Sequence, residues 1–175
     1  MPHPPSHHSI ALVGLSGAGK SAVGHLLATR LGWPLLDTDA LIVQSAGREI
    51  AQIFAVEGET HFRDIEAAAL HQALEGRPAV VATGGGIVLR NENRALLRER
   101  AFVVWLDAPT AALVARLQAH NQERPLLQGD AAARLEALRT ARAALYAEIA
   151  VLRIETEHRT VEAICEEVMR NMSRP

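Results

Sequence analysis

The sequence has 175 residues, of which 49% are hydrophobic, and this length suffices for one domain with a buried core. Its formal net charge of -2 gives no electrostatic reason to expect binding to nucleic acid or to an anionic membrane. No apolar run approaches the length of a membrane span. Residues 1–9 are rich in Pro and His, lack the apolar core of a signal peptide and are predicted to form a disordered tail. The single cysteine, Cys165, cannot form an internal disulfide, which favours a cytoplasmic protein.

Short apolar runs alternate with longer stretches of helical spacing between residues 10 and 172. Five runs predict strands that are buried on both faces: Ile10–Val13, Leu35–Leu36, Ala79–Ala82, Phe102–Leu106 and Val151–Ile154. Seven stretches predict helices: Lys20–Leu31, Ala40–Phe54, Thr60–Leu74, Asn91–Arg98, Thr110–Gln118, Ala131–Ile149 and Val161–Met172. The alternation predicts one α/β domain over residues 10–172, with a parallel sheet between two layers of helices. Ligands of such sheets bind at the carboxyl ends of the strands, so the residues that follow each strand are candidate site residues.

The segment Gly14–Ser21 reads GLSGAGKS and fits the pattern G-x-x-x-x-G-K-[ST], with a predicted strand before it and a predicted helix after it. Its glycines allow backbone N–H groups to point at phosphate oxygens, and the helix N-terminus adds partial positive charge. Lys20 is the only lysine among 18 basic residues, as expected where a compact ammonium must reach the β- and γ-phosphates. The alternative is an ordinary glycine-rich turn. The context favours binding of ATP through Gly17, Ala18, Gly19, Lys20, Ser21 and Ala22, with the Ser21 hydroxyl on Mg²⁺.

Two carboxylates, Asp37 and Asp39, follow the second predicted strand in the order Asp-Thr-Asp. Strand alternation places them on the same side if the strand continues through them. Beside a phosphate loop, one carboxylate could orient a water on Mg²⁺ while the other accepts the proton of an attacking hydroxyl. An Asx turn or a helix cap, for which Asp39 is a candidate, is the alternative, and the motif alone does not decide between them.

Three consecutive glycines, Gly84, Gly85 and Gly86, follow the third predicted strand. Glycines at this position allow a ligand to approach the backbone closely and to accept hydrogen bonds from its N–H groups. A flexible turn is the alternative. The place at the carboxyl end of a central strand favours a binding role.

Three arginines are further candidates, and each also has a simpler explanation. Arg63 lies on a predicted helix, where Glu66 one turn later could hold its guanidinium, although surface Arg–Glu pairs are common. Arg142 lies on another predicted helix, whose solvated face is its alternative explanation. Arg124 lies in the polar stretch 120–130, which could close over phosphates as a lid or could be a plain surface loop.

Taken together, these motifs resemble the shikimate kinase family. The matching segments occur in order over most of residues 10–168: GLSGAGKS, LLDTD, GREIAQIFAVEGETHFRDIE, TGGG, ERPLL, RAALY and IETEHRT. The resemblance implies a three-layer P-loop NTPase fold of the nucleoside monophosphate kinase type, with a five-stranded parallel sheet in the order 2-3-1-4-5. It also implies a monomeric enzyme of aromatic amino acid biosynthesis that phosphorylates the 3-hydroxyl of shikimate with ATP and Mg²⁺. Nucleic acid and membrane are not among the implied partners.

The resemblance also implies a role for each matching residue. Asp39 is the expected base and contacts the shikimate hydroxyls, while Asp37 supports Mg²⁺ through a water. The shikimate carboxylate is bound by the two forks of Arg63 and Arg142, and the substrate is also contacted by the glycines Gly84, Gly85 and Gly86. Arg124 reaches the phosphates from a lid near residues 119–130, and the neighbours of adenine are Arg116 and Arg159. Two departures from the family pattern, Val161 for its frequent proline and Glu155 for its aspartate, lie in the adenine-side loop that carries Arg159.

Two other interpretations remain. Another small-molecule kinase with the same phosphate loop, such as a gluconate kinase, is one, and the segments FRDIE, TGGG and RAALY argue against it. A non-catalytic ligand-sensing domain is the other. Such a domain is expected to have lost Lys20, Asp39 or an acceptor-site arginine, and all of these are present.

Overall fold

The structure, a computed structural model, describes residues 9–119 and 130–173. The predicted tail therefore lies outside the described residues except for Ser9. That residue was assigned wrongly, because it is buried in the first strand, where its hydroxyl accepts a hydrogen bond from the Ala79 N–H. The predicted lid lies outside the described residues except for its two ends, 119 and 130. No helix in the described ranges is long and apolar enough to span a membrane.

Five parallel strands form a sheet in the order β2-β3-β1-β4-β5, which confirms the predicted order. The strands are β1 (Ser9–Val13), β2 (Leu35–Asp37), β3 (Val80–Ala82), β4 (Ala101–Asp107) and β5 (Leu152–Glu155). Leu12 of β1 lies opposite Ala82 of β3 and Val104 of β4, and Ala82 lies opposite Asp37 of β2. The segments that follow β1, β2 and β3 therefore leave the sheet side by side at its carboxyl edge.

Helices cover both faces of this sheet. In the described residues they are α1 (Lys20–Leu31), α2 (Thr38–Ala46), α3 (Ile50–Leu74), α4 (Asn91–Arg100), α5 (Thr110–Ala119), α6 (Ala131–Ile149) and α7 (Val161–Met172), with a short 3-10 helix at Ile87–Leu89. Most predicted boundaries agree within one or two residues. The predicted single helix Ala40–Phe54 is wrong, because Gly47 adopts a left-handed φ of 65° and its N–H bonds to the Val43 carbonyl, which ends α2. A second glycine, Gly58, has a φ of 83° and divides α3 into two helical parts.

The prediction of strands buried on both faces holds for the three central strands, β1, β3 and β4, in which every residue is buried. It is wrong for β2 and β5, where Ile154 is the one fully buried residue. These two strands form the edges of the sheet and have a neighbour on one side only. Cys165 is fully buried against the core, and burial raises the pKa of its thiol, as expected for a packing cysteine.

Candidate active site

The phosphate loop connects β1 to α1 and curls because of its glycines. Gly14 and Gly19 have φ angles of 143° and 98°, which residues with side chains rarely adopt. At Gly14 a Cβ atom would also collide with the carbonyl oxygen of Leu106. Lys20 is the first residue of α1, and its Nζ donates hydrogen bonds to the carbonyl oxygens of Gly14 and Leu15 at 2.7 and 2.8 Å. These bonds keep the ammonium at the loop, where a phosphate-binding group is needed.

A cavity of about 490 Å³ opens at this loop, a volume within the range of ligand pockets in proteins. Its wall contains all the described residues that the sequence assigned to ATP: Gly17, Ala18, Gly19, Lys20, Ser21, Ala22, Arg116 and Arg159. Asp37 and Asp39 belong to the same wall. Arg124 lies outside the described residues, so its assignment stays a prediction.

A second cavity, of about 170 Å³, adjoins the first and suits a smaller ligand. Its wall contains the residues that the sequence assigned to the acceptor: Asp39, Arg63, Gly84, Gly85, Gly86 and Arg142. The two cavities have four wall residues in common: Ser16, Asp39, Gly84 and Gly85. The Asp39 carboxylate therefore lies where a bound nucleotide and a bound acceptor would meet.

The two aspartates of the Asp-Thr-Asp motif differ in their local roles. Asp37 is the N-cap of α2, and its Oδ1 accepts hydrogen bonds from the N–H groups of Asp39 at 2.9 Å and Ala40 at 3.1 Å. The cap is thus Asp37 and not Asp39. The condition for the argument from strand alternation is not met, because β2 ends at Asp37 and Asp39 lies in the first turn of α2. Both carboxylates nevertheless reach the larger cavity.

The glycine run after β3 makes room for side chains of the protein itself. A Cβ atom on Gly84 would lie 2.8 Å from Asp39 Oδ1, and one on Gly86 would lie 2.7 Å from Arg63 Nη2. The sequence predicted that a ligand would lie close to the backbone of these glycines. In the structure the side chains of Asp39 and Arg63 lie there instead. The Gly84 N–H donates to the Thr38 hydroxyl at 3.1 Å, so this N–H is engaged within the protein.

Arg63 is held in place by a buried ion pair. Its Nη1 donates to Glu66 Oε2 at 2.7 Å, and Glu66 is 1% exposed. Burial raises the pKa of the Glu66 carboxyl, and the guanidinium of Arg63 opposes that shift. The Nε of Arg63 is buried and has no hydrogen-bond partner among residues 9–119 and 130–173. A solvated surface pair, the alternative considered from the sequence, does not describe this arrangement.

Arg142 lines the smaller cavity from α6. Its Nη1 lies 3.4 Å from the position that a Cβ atom on Gly85 would take. Sequence reasoning assigned no role to Tyr146, one turn later, although its hydroxyl donates to the Gly85 carbonyl oxygen at 2.5 Å. It also missed Thr38, which is fully buried between the two aspartates. Both residues could have been found from the sequence, because each is a polar residue next to predicted charged ligands: Thr38 lies between Asp37 and Asp39, and Tyr146 follows Arg142 by four residues.

The wall of the larger cavity also contains Arg116 and Arg159. Arg116 donates to the Thr156 hydroxyl and carbonyl oxygen, each at 2.9 Å, and to the Gly17 carbonyl oxygen at 3.2 Å. These acceptors fix the plane of the guanidinium beside the phosphate loop. Arg159 forms an ion pair with Glu167 at 2.6 Å. The assignment of these two arginines to the base of a nucleotide stays a prediction.

The residues near the phosphate loop fit a magnesium ion that is held mainly by phosphates and water. No group of three or more His, Cys, Asp or Glu in the described part of the chain could form an all-protein metal site. Magnesium in nucleotide sites commonly takes one or two protein ligands beside phosphate oxygens and waters. Ser21 and Asp37 lie in the wall of the nucleotide cavity, and Asp37 uses Oδ1 for its cap, which leaves Oδ2 to orient a water.

Three features define a P-loop kinase that acts on a small molecule. They are a lysine-bearing phosphate loop after β1, the strand order β2-β3-β1-β4-β5 and a second cavity that adjoins the nucleotide cavity. The family model of shikimate kinases matches residues 16–173. A shikimate kinase from Symbiobacterium thermophilum is 49% identical over 166 residues, which cover 94% of this chain and 95% of that protein. The chain belongs to the shikimate kinase family.

Solved structures agree with this assignment. A shikimate kinase from Acinetobacter baumannii in complex with shikimate superposes with a TM-score of 0.89 at 35% identity, covering 96% of this chain and 94% of that one. A gluconokinase from Sinorhizobium meliloti superposes with a TM-score of 0.65 at 20% identity, covering 98% and 94%. The second likeness shows the shared fold alone, so the gluconate kinase alternative gains no support from it.

Proposed function

We propose that this chain transfers the γ-phosphoryl group of ATP to the 3-hydroxyl of shikimate, a step in aromatic amino acid biosynthesis. The observation that carries the proposal is the meeting of two cavities at Asp39, one lined by the phosphate loop and the other by Arg63 and Arg142. Membership of the shikimate kinase family supports the choice of acceptor. The relative from A. baumannii was solved in complex with shikimate.

The donor side binds the triphosphate. Backbone N–H groups of the loop and the N-terminus of α1 face the phosphates, and Lys20 supplies a positive charge for the β- and γ-phosphates. Ser21 would bind Mg²⁺ directly and Asp37 would bind it through a water. The ion would neutralise further phosphate charge. Arg116 and Arg159 border the adenine. Because these groups are in place before the reaction, they stabilise the charge that develops on the transferring phosphoryl group.

The acceptor side orients a carboxylate and a hydroxyl. Arg63 and Arg142 would bind the shikimate carboxylate as two guanidinium forks, which directs the ring toward Asp39. Asp39 then accepts the proton of the 3-hydroxyl while the oxygen of that hydroxyl forms a bond to the γ-phosphorus. The bond from that phosphorus to the β,γ-bridging oxygen breaks, and ADP leaves. Shikimate 3-phosphate is the product.

Arg63→Ala and Arg142→Ala are each expected to raise the KM for shikimate roughly ten- to hundredfold, because each removes a charged hydrogen bond worth about 1.5–3 kcal/mol. The KM for ATP should change by less than about twofold, since neither residue lines the nucleotide cavity. Steady-state kinetics with each substrate varied separately measures this difference. Arg98→Ala is the matched control, because Arg98 forms an exposed ion pair with Glu148 on the surface. An equal rise for both substrates would make the two arginines structural.

Gly86→Ala is expected to raise the KM for shikimate about tenfold or more, because the added Cβ would displace the guanidinium of Arg63. Gly24→Ala is the control. It adds a methyl group 3.0 Å from Leu35 Cδ1, inside the core and away from the acceptor cavity. The control should lower the melting temperature without a selective change in the shikimate KM. A Gly86→Ala enzyme with wild-type affinity for shikimate would contradict the packing of Arg63 over this glycine.

Release of ADP in the presence of shikimate, of gluconate or of no acceptor tests the proposed function. We expect Mg²⁺-dependent turnover with shikimate that exceeds the other two rates by orders of magnitude. A preference for gluconate would favour the other kinase, and binding of shikimate without turnover would favour a ligand sensor. We also propose that the protein is cytoplasmic and monomeric. Size-exclusion chromatography with light scattering would test the oligomeric state.

A further inference from the structure

The hydroxyl of Tyr146 joins two parts of the acceptor cavity that are distant in sequence. Its Oη donates a hydrogen bond to the Gly85 carbonyl oxygen at 2.5 Å. The guanidinium of Arg142 lies against the same glycine, with its Nη1 3.4 Å from the position that a Cβ atom on Gly85 would take. Tyr146 follows Arg142 by four residues on α6, so both side chains lie on one face of that helix.

The ring that carries this hydroxyl is fixed by its surroundings. Tyr146 is 1% exposed and stacks on Trp105, with ring centroids 5.6 Å apart and an angle of 29° between the planes. Burial raises the pKa of the Tyr146 phenol to about 12, although the nearby Arg142 acts in the opposite direction. The phenol therefore remains a protonated donor over the whole range in which the enzyme would work.

The carbonyl that Tyr146 holds belongs to the peptide between Gly85 and Gly86. A trans peptide is planar, so fixing the direction of its C=O also fixes the direction of the Gly86 N–H. Gly86 in turn lies directly against the Arg63 guanidinium. One hydroxyl thus constrains the glycine run and, through Gly85 and Gly86, the space that Arg142 and Arg63 occupy.

We propose that Tyr146 is a positioning residue for the acceptor, which holds the Gly85–Gly86 peptide, and with it the space that Arg142 and Arg63 occupy, in the arrangement that binds a carboxylate-bearing substrate. The inference rests on the proposed function, since shikimate is the carboxylate concerned. Tyr146 acts through this peptide. Its loss should therefore change the affinity for shikimate more than the affinity for ATP, because Gly86, Arg63 and Arg142 line the acceptor cavity and not the nucleotide cavity.

Tyr146→Phe tests the inference, because it keeps the ring and removes only the hydroxyl. The KM for shikimate is expected to rise roughly three- to tenfold, the size of one neutral hydrogen bond, while the KM for ATP changes by less than about twofold. Replacement of Tyr146 by 4-aminophenylalanine, which keeps an N–H donor at the same place, should return the shikimate KM to near its wild-type value. Trp105→Leu is the packing control. It disturbs the stacked ring but keeps the hydroxyl, so it should lower the melting temperature without this selective change.

A Tyr146→Phe enzyme with the wild-type KM for shikimate would overturn the inference, and so would an equal rise in both Michaelis constants. The same selective rise in Trp105→Leu would also overturn it, because packing would then suffice. If Tyr146→Phe does not fold, the 4-aminophenylalanine enzyme decides, and a raised shikimate KM there counts against the proposal. Failure of the proposed function looks different: the wild-type enzyme would then not phosphorylate shikimate, and this inference would fall with it.

Discussion

Lys20→Met is expected to lower kcat by about 100- to 1,000-fold, the cost of removing one preorganised group that stabilises transition-state charge. The ammonium of Lys20 is held at the phosphate loop by the carbonyl oxygens of Gly14 and Leu15, and methionine has no charge to place there. The fold should persist, because methionine has a similar length and suits a helix. Circular dichroism and turnover of ATP with shikimate measure the two effects.

Lys20→Arg is an informative companion to this variant. The other basic residues of the sequence are arginines, so a mere need for positive charge would be met by the substitution. A planar guanidinium cannot replace a compact ammonium within the loop, and we expect Lys20→Arg to remain at least about tenfold below wild type. Turnover near the wild-type rate in Lys20→Met would refute the assignment of the loop to phosphoryl transfer.

Asp39→Asn is expected to lower kcat by about 100- to 10,000-fold, the range that a positioned general base contributes. Asparagine retains a hydrogen-bond acceptor of the same size, so the Kd for shikimate should change far less than the rate. Single-turnover kinetics and titration with shikimate separate the two quantities. Asp64→Asn is the control, because Asp64 is an exposed carboxylate of α3 that forms an ion pair with Arg90. A small effect on the rate, with a large loss of shikimate affinity, would make Asp39 a binding residue.

The parts of the fold that followed from the sequence are those governed by local chemistry. Apolar runs identified the five strands, and helix α6 was predicted with its observed ends, Ala131 and Ile149. The partial exposure of β2 and β5 did not follow from their apolar residues, because the lateral order of strands decides which of them become edges. Local composition does not state that order, which came from the family resemblance. Gly47 ended α2 within a stretch whose helical spacing of apolar residues continues beyond it. Glycine allows either a helix or a left-handed turn, so the composition of this segment left its course open.

The candidate site divides in the same way. The candidate ligand-binding residues in the walls of the two cavities, such as Lys20, Asp39 and Arg142, were predicted from the motifs and from family resemblance, because ligand chemistry dictates their types. The contacts between those residues could not be predicted. Thr38 bonds to Gly84 across 46 positions and Tyr146 to Gly85 across 61, so only the folded sheet brings each pair together. The need for a glycine at position 86 likewise follows only from the structure, in which the guanidinium of Arg63 lies against Gly86 and leaves no space for a side chain.

Identification of the reaction product tests the central claim most directly. The protein would be incubated with ATP, Mg²⁺ and shikimate, and the product examined by two-dimensional correlation of phosphorus with proton resonances. The account predicts a single phosphorylated product, in which the phosphorus couples to the proton on carbon 3 of shikimate, formed in equal amount with ADP. Absence of a phosphorylated shikimate, or a phosphorus that couples to the proton of another hydroxyl-bearing carbon, would contradict it.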